Sequence, residues 1–353
     1  MEKINKNMLM SISFELSFND LMNTCSTNKR IWKLCQDDEL WKYRAINILG
    51  YEQEDLPVLE KGQWKEWYMK NNGYVYGWGN NFYKQLSSEN VNNIKDIAFL
   101  HNGIKSIECS GDRTALIDTD DNLFINEKFI MSNVDQVVIG YTLVSILSQG
   151  SVYSMNSLGE IHKIQSKYKI QYVSNRFDNG IALINGNIYR VLLKEPYTLR
   201  KMNLGVKNVK YVKAVGLFFI FITEDNRLYF VVNNKKHLVS KNVKFATCIL
   251  DKDVIYQLYW TDSNNVLYTT SINSRSTRIN DYIDEILTKN ESKIMNNVIK
   301  VNGNHTSLLI LTTDHILHKS DGKFSDLESY YTIDDNVKDM CCGDKHYLVL
   351  RLE

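Results

Sequence analysis

The sequence predicts a mainly β protein, a seven-bladed β-propeller preceded by a small all-α N-terminal domain. Three observations carry this. After residue 72 one phrase of strands and turns recurs seven times at intervals of about 40 residues, a unit too small to bury both of its faces alone. The same turn chemistry falls at the same point in successive copies. The last copy stops halfway, while a strand without a partner stands before the first.

The 353 residues are 44% hydrophobic and 24% charged, a composition with room for one large core or two modest ones. Lys and Arg number 42 against 41 Asp and Glu, so no whole-molecule field draws the chain to nucleic acid or to an acidic membrane, and neither is an expected partner. The totals leave room for a local patch. Cys25, Cys35, Cys109, Cys248, Cys341 and Cys342 show no CxxC and no regular spacing. This speaks against a disulfide framework or a zinc site and for a reducing setting inside the cell, cytoplasmic or nuclear. No secretory signal is expected from the first 20 residues, which lack an apolar core ahead of a cleavage site. The longest apolar run, AVGLFFIFI at 214–222, is about half of the ~20 residues a membrane helix needs and reads as a buried strand.

Residues 1–71 are read as helical. Leu9, Ile12 and Leu16, then Leu21, Met22 and Cys25, fall three to four residues apart on one helix face. Trp32 and Cys35 continue that face in a second segment, and DDELWKYRAINIL at 37–49 reads as a third helix with acids in its first turn. Leu9, Ile12, Leu16, Leu21, Trp32 and Trp41 are the candidate partner-binding residues of this head, weighed against an equal claim as its own core.

From Gly73 the period changes from helical to alternating, and residues 72–353 form the propeller. Copies of the repeat open at Ile104, Val134, Ile170, Val209, Val243, Val298 and Val337. Their hairpins are expected as two-residue turns at Asp121-Asn122, Gln149-Gly150, Asn185-Gly186, Asp225-Asn226 and Asn264-Asn265, residues that tolerate positive φ. The final copy, ending HYLVLRLE, lacks an outgoing strand, and YVYGWGNN at 74–81 is an outgoing strand lacking an incoming one. Together they complete one blade and close a ring without a free edge. Residues 273–297 lengthen one interval; Ile279, Tyr282, Ile283 and Ile286 have helical spacing there and make the insertion a second candidate binding element.

The stretch VYGWGNNFYKQL resembles the VY-x-WG-x-N-x-x-GQLG signature of the regulator of chromosome condensation repeat family, and CCGDKHYLVL and NGNHTSLLI resemble its CG-x-x-HT-x-x-L half. The signature positions are Gly77, Trp78, Gly79, Asn81, Gly343 and His346, with Lys84 where the family has glycine. WD-type propellers are the rival, but Asp262 follows Trp260-Thr261 and no GH to WD pairing occurs. The head is similar to the second half of an F-box through Asp20, Leu21, Cys25, Trp32, Leu34, Cys35, Asp38, Leu40 and Trp41; residues 5–10 stand where that family has its leading Leu-Pro. The combination resembles F-box and propeller proteins of large DNA viruses. It implies a non-enzymatic substrate-recruiting subunit of a cullin ubiquitin ligase, a monomer outside its complex, binding a Skp-type adaptor by its head and a target by its propeller. The alternatives are nucleotide exchange on a small GTPase, with no residue nominated, or a purely structural interaction propeller.

No Walker loop, HExxH, nucleophile elbow or Rossmann glycine pattern occurs, and no cofactor is expected. His315 and His318 have a metal-like spacing, but in a strand they would face opposite sides. His305 and His346 are expected to hydrogen-bond a neighbouring blade, and vicinal Cys341-Cys342 to lie in a buried strand rather than to act as a redox pair.

Overall fold

The alternating stretches after residue 73 form strands, and these assemble into seven four-stranded antiparallel sheets. The computed structural model describes residues 11, 21, 24–26, 29–47, 53, 56–71, 73–87, 91–176, 179–215, 218–251, 255–273, 292–303, 307–321, 330–335 and 337–351. Blade 1 comprises Ile104–Ser110, Arg113–Asp118, Leu123–Ile125 and Lys128–Met131; blade 2 Gln136–Ile139, Val144–Ser148, Ser151–Met155 and Ile161–Lys163; blade 3 Tyr172–Arg176, Asn179–Ile184, Asn187–Leu192 and Leu199–Lys201. Blade 4 comprises Val209–Val215, Phe218–Thr223, Leu228–Val232 and Lys235–Ser240; blade 5 Val243–Asp251, Ile255–Asp262, Leu267–Asn273 and Ser292–Met295; blade 6 Val298–Gly303, Ser307–Thr312, Leu317–Asp321 and Tyr330–Asp334. Blade 7 is composite: Val337–Cys342 and His346–Arg351 from the end of the chain, then Tyr74–Asn80 and Asn93–His101 from before blade 1.

The composite blade answers the question posed by the orphan strand. Tyr74 pairs with Arg351, and the register runs without interruption to Gly79 opposite His346. The first strand of each blade packs against the first strand of the next, and that of blade 7 against that of blade 1. The ring is therefore closed. The apolar run at 214–222 is not one strand: Val215 pairs with Phe218, so the run turns back on itself as a hairpin of blade 4. Two adjacent buried strands give the same unbroken apolar text as one.

Closure is written into a hydrogen bond that repeats around the ring. The opening residue of six blades donates its backbone N–H to a turn carbonyl of the blade before: Val134 to Asp121, Ile170 to Gly150, Val209 to Gly186, Val243 to Asn226, Val298 to Asn265 and Val337 to His315, at 2.8–3.1 Å. Ile104 completes the set by donating to Gly73 (3.1 Å), which takes the place of the missing turn in blade 7. A Cβ on Gly73 would meet the Ile104 carbonyl oxygen at 2.0 Å.

The accepting turns differ from the expectation in form. Gln149-Gly150 and Asn185-Gly186 are two-residue hairpins with both φ positive. In blades 1, 4, 5 and 6 the turn has four residues, and only its third, Asp121, Asn226, Asn265 or His315, is left-handed. His315 is thus a turn residue and not a strand residue. Asn and Asp lead at such positions because their short polar side chains tolerate the left-handed region, and His is enriched there too.

The core lies between blades, one apolar cluster per junction. Between blades 4 and 5, Ile220, Ile222, Leu228 and Phe230 pack on Val243, Ala246, Leu258 and Trp260; each such side chain is worth ~1.5–3 kcal/mol over exposure. Cys109 and Cys341 join the inner strands of blades 1 and 7 as a disulfide with Cα atoms 5.4 Å apart, and Cys25 bonds to Cys35 in the head. Both pairs correct the expectation of unpaired cysteines. A separation of 232 residues carries no spacing signal, because the two strands become neighbours only through closure.

Before residue 72 the described helices are α1 (Lys29–Leu34), α2 (Asp38–Asn47) and α3 (Trp64–Asn71). Asp38 opens α2 and accepts from the backbone N–H groups of Gly62 (2.7 Å) and Trp64 (3.3 Å), which ties the start of α3 to α2. Leu21, Cys25, Leu34, Cys35, Leu40, Trp41, Ala45, Trp64 and Tyr68 form one buried cluster. Arg44 is buried with them and donates to the Tyr68 hydroxyl at 3.3 Å.

Candidate partner-binding surfaces

In each antiparallel blade the first–second and third–fourth connections share one face of the ring, called here the loop face. The chain enters blade 7 from the opposite face, through Gly73. On the loop face the 81–92 connection of blade 7 is organised by a single buried side chain. The Asn81 amide donates to the carbonyls of Ser87 and Val91 (both 2.9 Å), and its oxygen accepts from the N–H groups of Leu86 (2.9 Å) and Ser87 (3.1 Å). Gln85 donates to the Asn80 side chain and accepts from the Tyr83 N–H.

This frame turns Phe82 and Tyr83 outward, 63% and 59% exposed. The Tyr83 carbonyl meets the Asn126 amide of blade 1 at 3.5 Å, and Arg113 of the same blade donates to the Thr142 carbonyl of blade 2 at 3.4 Å. Tyr141, 64% exposed, stands beside Thr142. Phe82, Tyr83 and Tyr141 therefore belong to one surface spanning blades 7, 1 and 2. Sequence reasoning missed them: the signature drew attention to the residues that hold the loop rather than to those it displays. Two adjacent aromatics inside a turn sequence were the available signal.

The signature residues are structural. A Cβ on Gly77 would come within 3.0 Å of Leu86, Leu100 and Leu348, and Gly79 has φ +105 with the Lys345 carbonyl against its open side. Trp78 stacks on Tyr347 at 5.0 Å. His346 is fully buried and its Nε2 meets the Thr114 hydroxyl of blade 1 at 3.0 Å, the cross-blade contact expected of it. Burial holds its pKa down at about 4, so the ring is neutral. Gly343 leaves room for that ring: a Cβ there would lie 2.0 Å from His346 Cε1.

A second polar locus lies on the inner strands. Glu108 of blade 1 is under the influence of the charges of Lys213 of blade 4, Lys300 of blade 6 and Asp339 of the adjoining blade 7. Lys300 pairs with Asp339, and Lys213 donates to the Thr247 hydroxyl at 2.8 Å. Glu108 is half-buried, and the desolvation of its carboxyl raises its pKa to about 7. Tyr172 is pushed up to about 12 by burial and by Glu108. Burial likewise pushes up the Cys342 thiol, keeping it protonated, while its neighbour Cys341 is bonded to Cys109.

Among the described residues no group of three His, Cys, Asp or Glu side chains could hold a metal ion. His315 Nδ1 contacts the Val337 carbonyl and His318 Nδ1 the Thr332 hydroxyl, so the two do not converge. In the head, Leu21 and Trp41 are wholly buried, and Trp41 donates its indole N–H to the Cys35 carbonyl. They offer no surface to an adaptor, because a small helical unit needs its largest apolar side chains for its own core. Trp32 is 54% exposed. Leu9, Ile12 and Leu16 of the head, Ile279, Tyr282, Ile283 and Ile286 of the insertion, and His305 lie outside the described residues. The strands bracketing the insertion end on the loop face.

No family model matches the chain, and no curated protein matches it. Solved structures do. Yeast RCC1 (Prp20) bound to Kap60 aligns with TM-score 0.61 at 13% identity, over 86% of this chain and 96% of that one. The fold is an RCC1-like seven-bladed propeller. Human WBSCR16 aligns with the RCC1-like ring at TM-score 0.60 and 14% identity, over 79% of this chain and 98% of the other. Saccharomyces cerevisiae Prp20p, studied for its binding to Gsp1p and histones, aligns at TM-score 0.59 and 14% identity over 80% and 92%.

Proposed function

We propose that this protein is a non-enzymatic binding propeller that docks a small GTPase on its loop face and regulates its nucleotide state. The observation that carries the reading is the surface of Phe82, Tyr83 and Tyr141, held outward by a buried hydrogen-bonded frame. Rigid exposed aromatics supply much of the energy of protein interfaces. The partner class is supported by the likeness to Prp20p, whose partner Gsp1 is a small GTPase. Nucleotide release from GTPases of the Gsp1 class is the test. Catalytic amounts of the protein should accelerate release, and a Phe82→Ser, Tyr83→Ser variant should bind the GTPase at least ~10-fold more weakly. Absence of both binding and accelerated release refutes the reading.

A second reading is favoured by one observation: six of the F-box-like positions, Leu21, Cys25, Leu34, Cys35, Leu40 and Trp41, fall in a single buried cluster. In this reading the head docks a Skp-type adaptor and the propeller recruits a target for ubiquitination. Because Leu21 is core, Trp32→Asp is the informative variant. Retention of the adaptor by the intact protein and its loss in Trp32→Asp supports the reading; no retention by the intact protein removes it.

A further inference from the structure

The balance of charge over the whole chain conceals a division. Residues 161–250 hold 16 Lys and Arg against four Asp and Glu, a net of +12, which leaves 26 against 37, a net of −11, for all the rest. The basic segment runs from the outer strand of blade 2 to the inner strand of blade 5. Its cations are exposed on three successive outer strands: Lys163 in blade 2, Arg200 and Lys201 in blade 3, Lys235 and Lys236 in blade 4. These strands are continuous in space. His162 stacks on Tyr197 at 4.7 Å, Gln165 bridges to Thr198, and Lys236 donates to the Gly205 carbonyl at 3.1 Å. Lys163, Lys167 and Lys236 lie over the rings of Tyr153, Tyr168 and Tyr229 at 5.7, 5.2 and 6.0 Å, which fixes their ammonium groups along the arc.

Lysines on outer strands discourage edge-to-edge pairing. That need is common to all seven blades and does not account for a concentration in three, which continues through Lys169, Lys207 and Lys241 of the connections.

We propose that this arc of the rim binds single-stranded nucleic acid through its phosphates. Lysine is depleted at the cores of protein interfaces, whereas nucleic-acid interfaces are strongly positive, so the composition favours phosphate over an acidic protein. The outer strands of a closed ring face outward on a convex surface. A duplex, stiff over about 150 base pairs, touches such a surface at few phosphates, while a single strand follows it. Exposed Tyr168 adds a face on which a base stacks. The site is separate from the loop face and does not depend on the GTPase or adaptor readings.

Fluorescence anisotropy with the full chain tests it, using labelled oligo-dT and oligo-rU of about 20 nucleotides and a duplex of equal length. For about five phosphate contacts, single-strand affinity should fall ~100-fold between about 50 and about 200 mM salt. The variant Lys163→Gln, Lys201→Gln, Lys236→Gln should lower the log–log salt slope by about 2. The control Lys95→Gln, Lys128→Gln, Lys345→Gln makes the same change of net charge at exposed positions outside the arc and should leave the slope unaltered. Absence of binding at the lower salt overturns the proposal. So does a duplex bound as tightly as the strand, an equal effect in the control, or competition by polyglutamate or anionic vesicles as effective as by the strand.

Discussion

Lys84 occupies a position with φ +57 inside the loop that Asn81 organises. An L-residue in the left-handed region costs ~1–2 kcal/mol relative to its ordinary conformations, and part of that is recovered when glycine replaces it. Lys84→Gly should therefore raise the stability by ~0.5–1 kcal/mol in denaturant unfolding while leaving Phe82 and Tyr83 in place. At His346 the folded pKa of about 4 lies below the ordinary 6.5. The unfolded chain takes up the proton first, so the stability this residue contributes is complete above about pH 6.5 and is lost as pH falls toward 4, on the order of 3 kcal/mol. Glu108, raised from 4.5 to about 7, works in the opposite sense: its contribution is complete below 4.5 and lost as pH rises through 7. The two mask each other in the intact protein. Removing one exposes the other, so Glu108→Gln should steepen the loss of melting temperature between pH 7 and pH 4. A profile parallel to that of the parent would refute the assignment.

At the scale of the element, the left-handed turn residue does two things. It closes its own hairpin and it offers its carbonyl to the next blade, as Asn226 does to the Val243 N–H at 2.8 Å. Its side chain works as well. Asn226 accepts from Lys210 and Asn265 from Lys244, and Asp121 pairs with Lys105. In these three the second residue of the inner strand reaches back to the turn of its own blade; in blade 3 Gln171, just ahead of the inner strand, accepts from the Asn185 backbone N–H instead. Asn226→Gly keeps the backbone and loses only the side-chain contact; Asn226→Ala loses the contact and strains the backbone. Thermal unfolding should show Ala as the worse by ~1 kcal/mol. Equal effects would mean that the left-handed conformation contributes nothing there.

At the scale of the molecule, closure depends on strands contributed by both ends of the β region and on a disulfide beside the seam. The Cys109–Cys341 bond spans 232 residues of chain, and removing such a link from a folded protein costs about 2–5 kcal/mol. Cys109→Ser should lower stability by that amount under oxidising conditions and by far less under reducing ones. A loss that is the same in both would show that packing of the buried side chain, not the covalent link, matters at this junction. The seven-junction core also sets the mode of failure. Damage at blade 7 opens the ring and exposes strand edges on both sides of the break, so seam variants should aggregate more readily than equally destabilised variants within blade 4.

Period, turn chemistry and the half-copy at the end of the chain sufficed to read a closed ring of seven blades, because each is a local property that text preserves: alternation, residues tolerant of positive φ, and a missing strand. The helices α2 and the blade containing Gly77 to Asn81 were legible for the same reason. The neighbours of Glu108 and the cross-seam disulfide were not, since Cys109 and Cys341 lie 232 residues apart and, like Glu108 and Asp339, meet only when the blades stack; the outward display of Phe82 and Tyr83 and the alignment of Lys163, Lys201 and Lys236 along one arc are likewise properties of the assembled ring. His315 shows the boundary most clearly. The alternating pattern placed it in a strand, facing away from His318, and only the folded chain, by setting its φ at 64° and its carbonyl against Val337, made it the turn that links two blades.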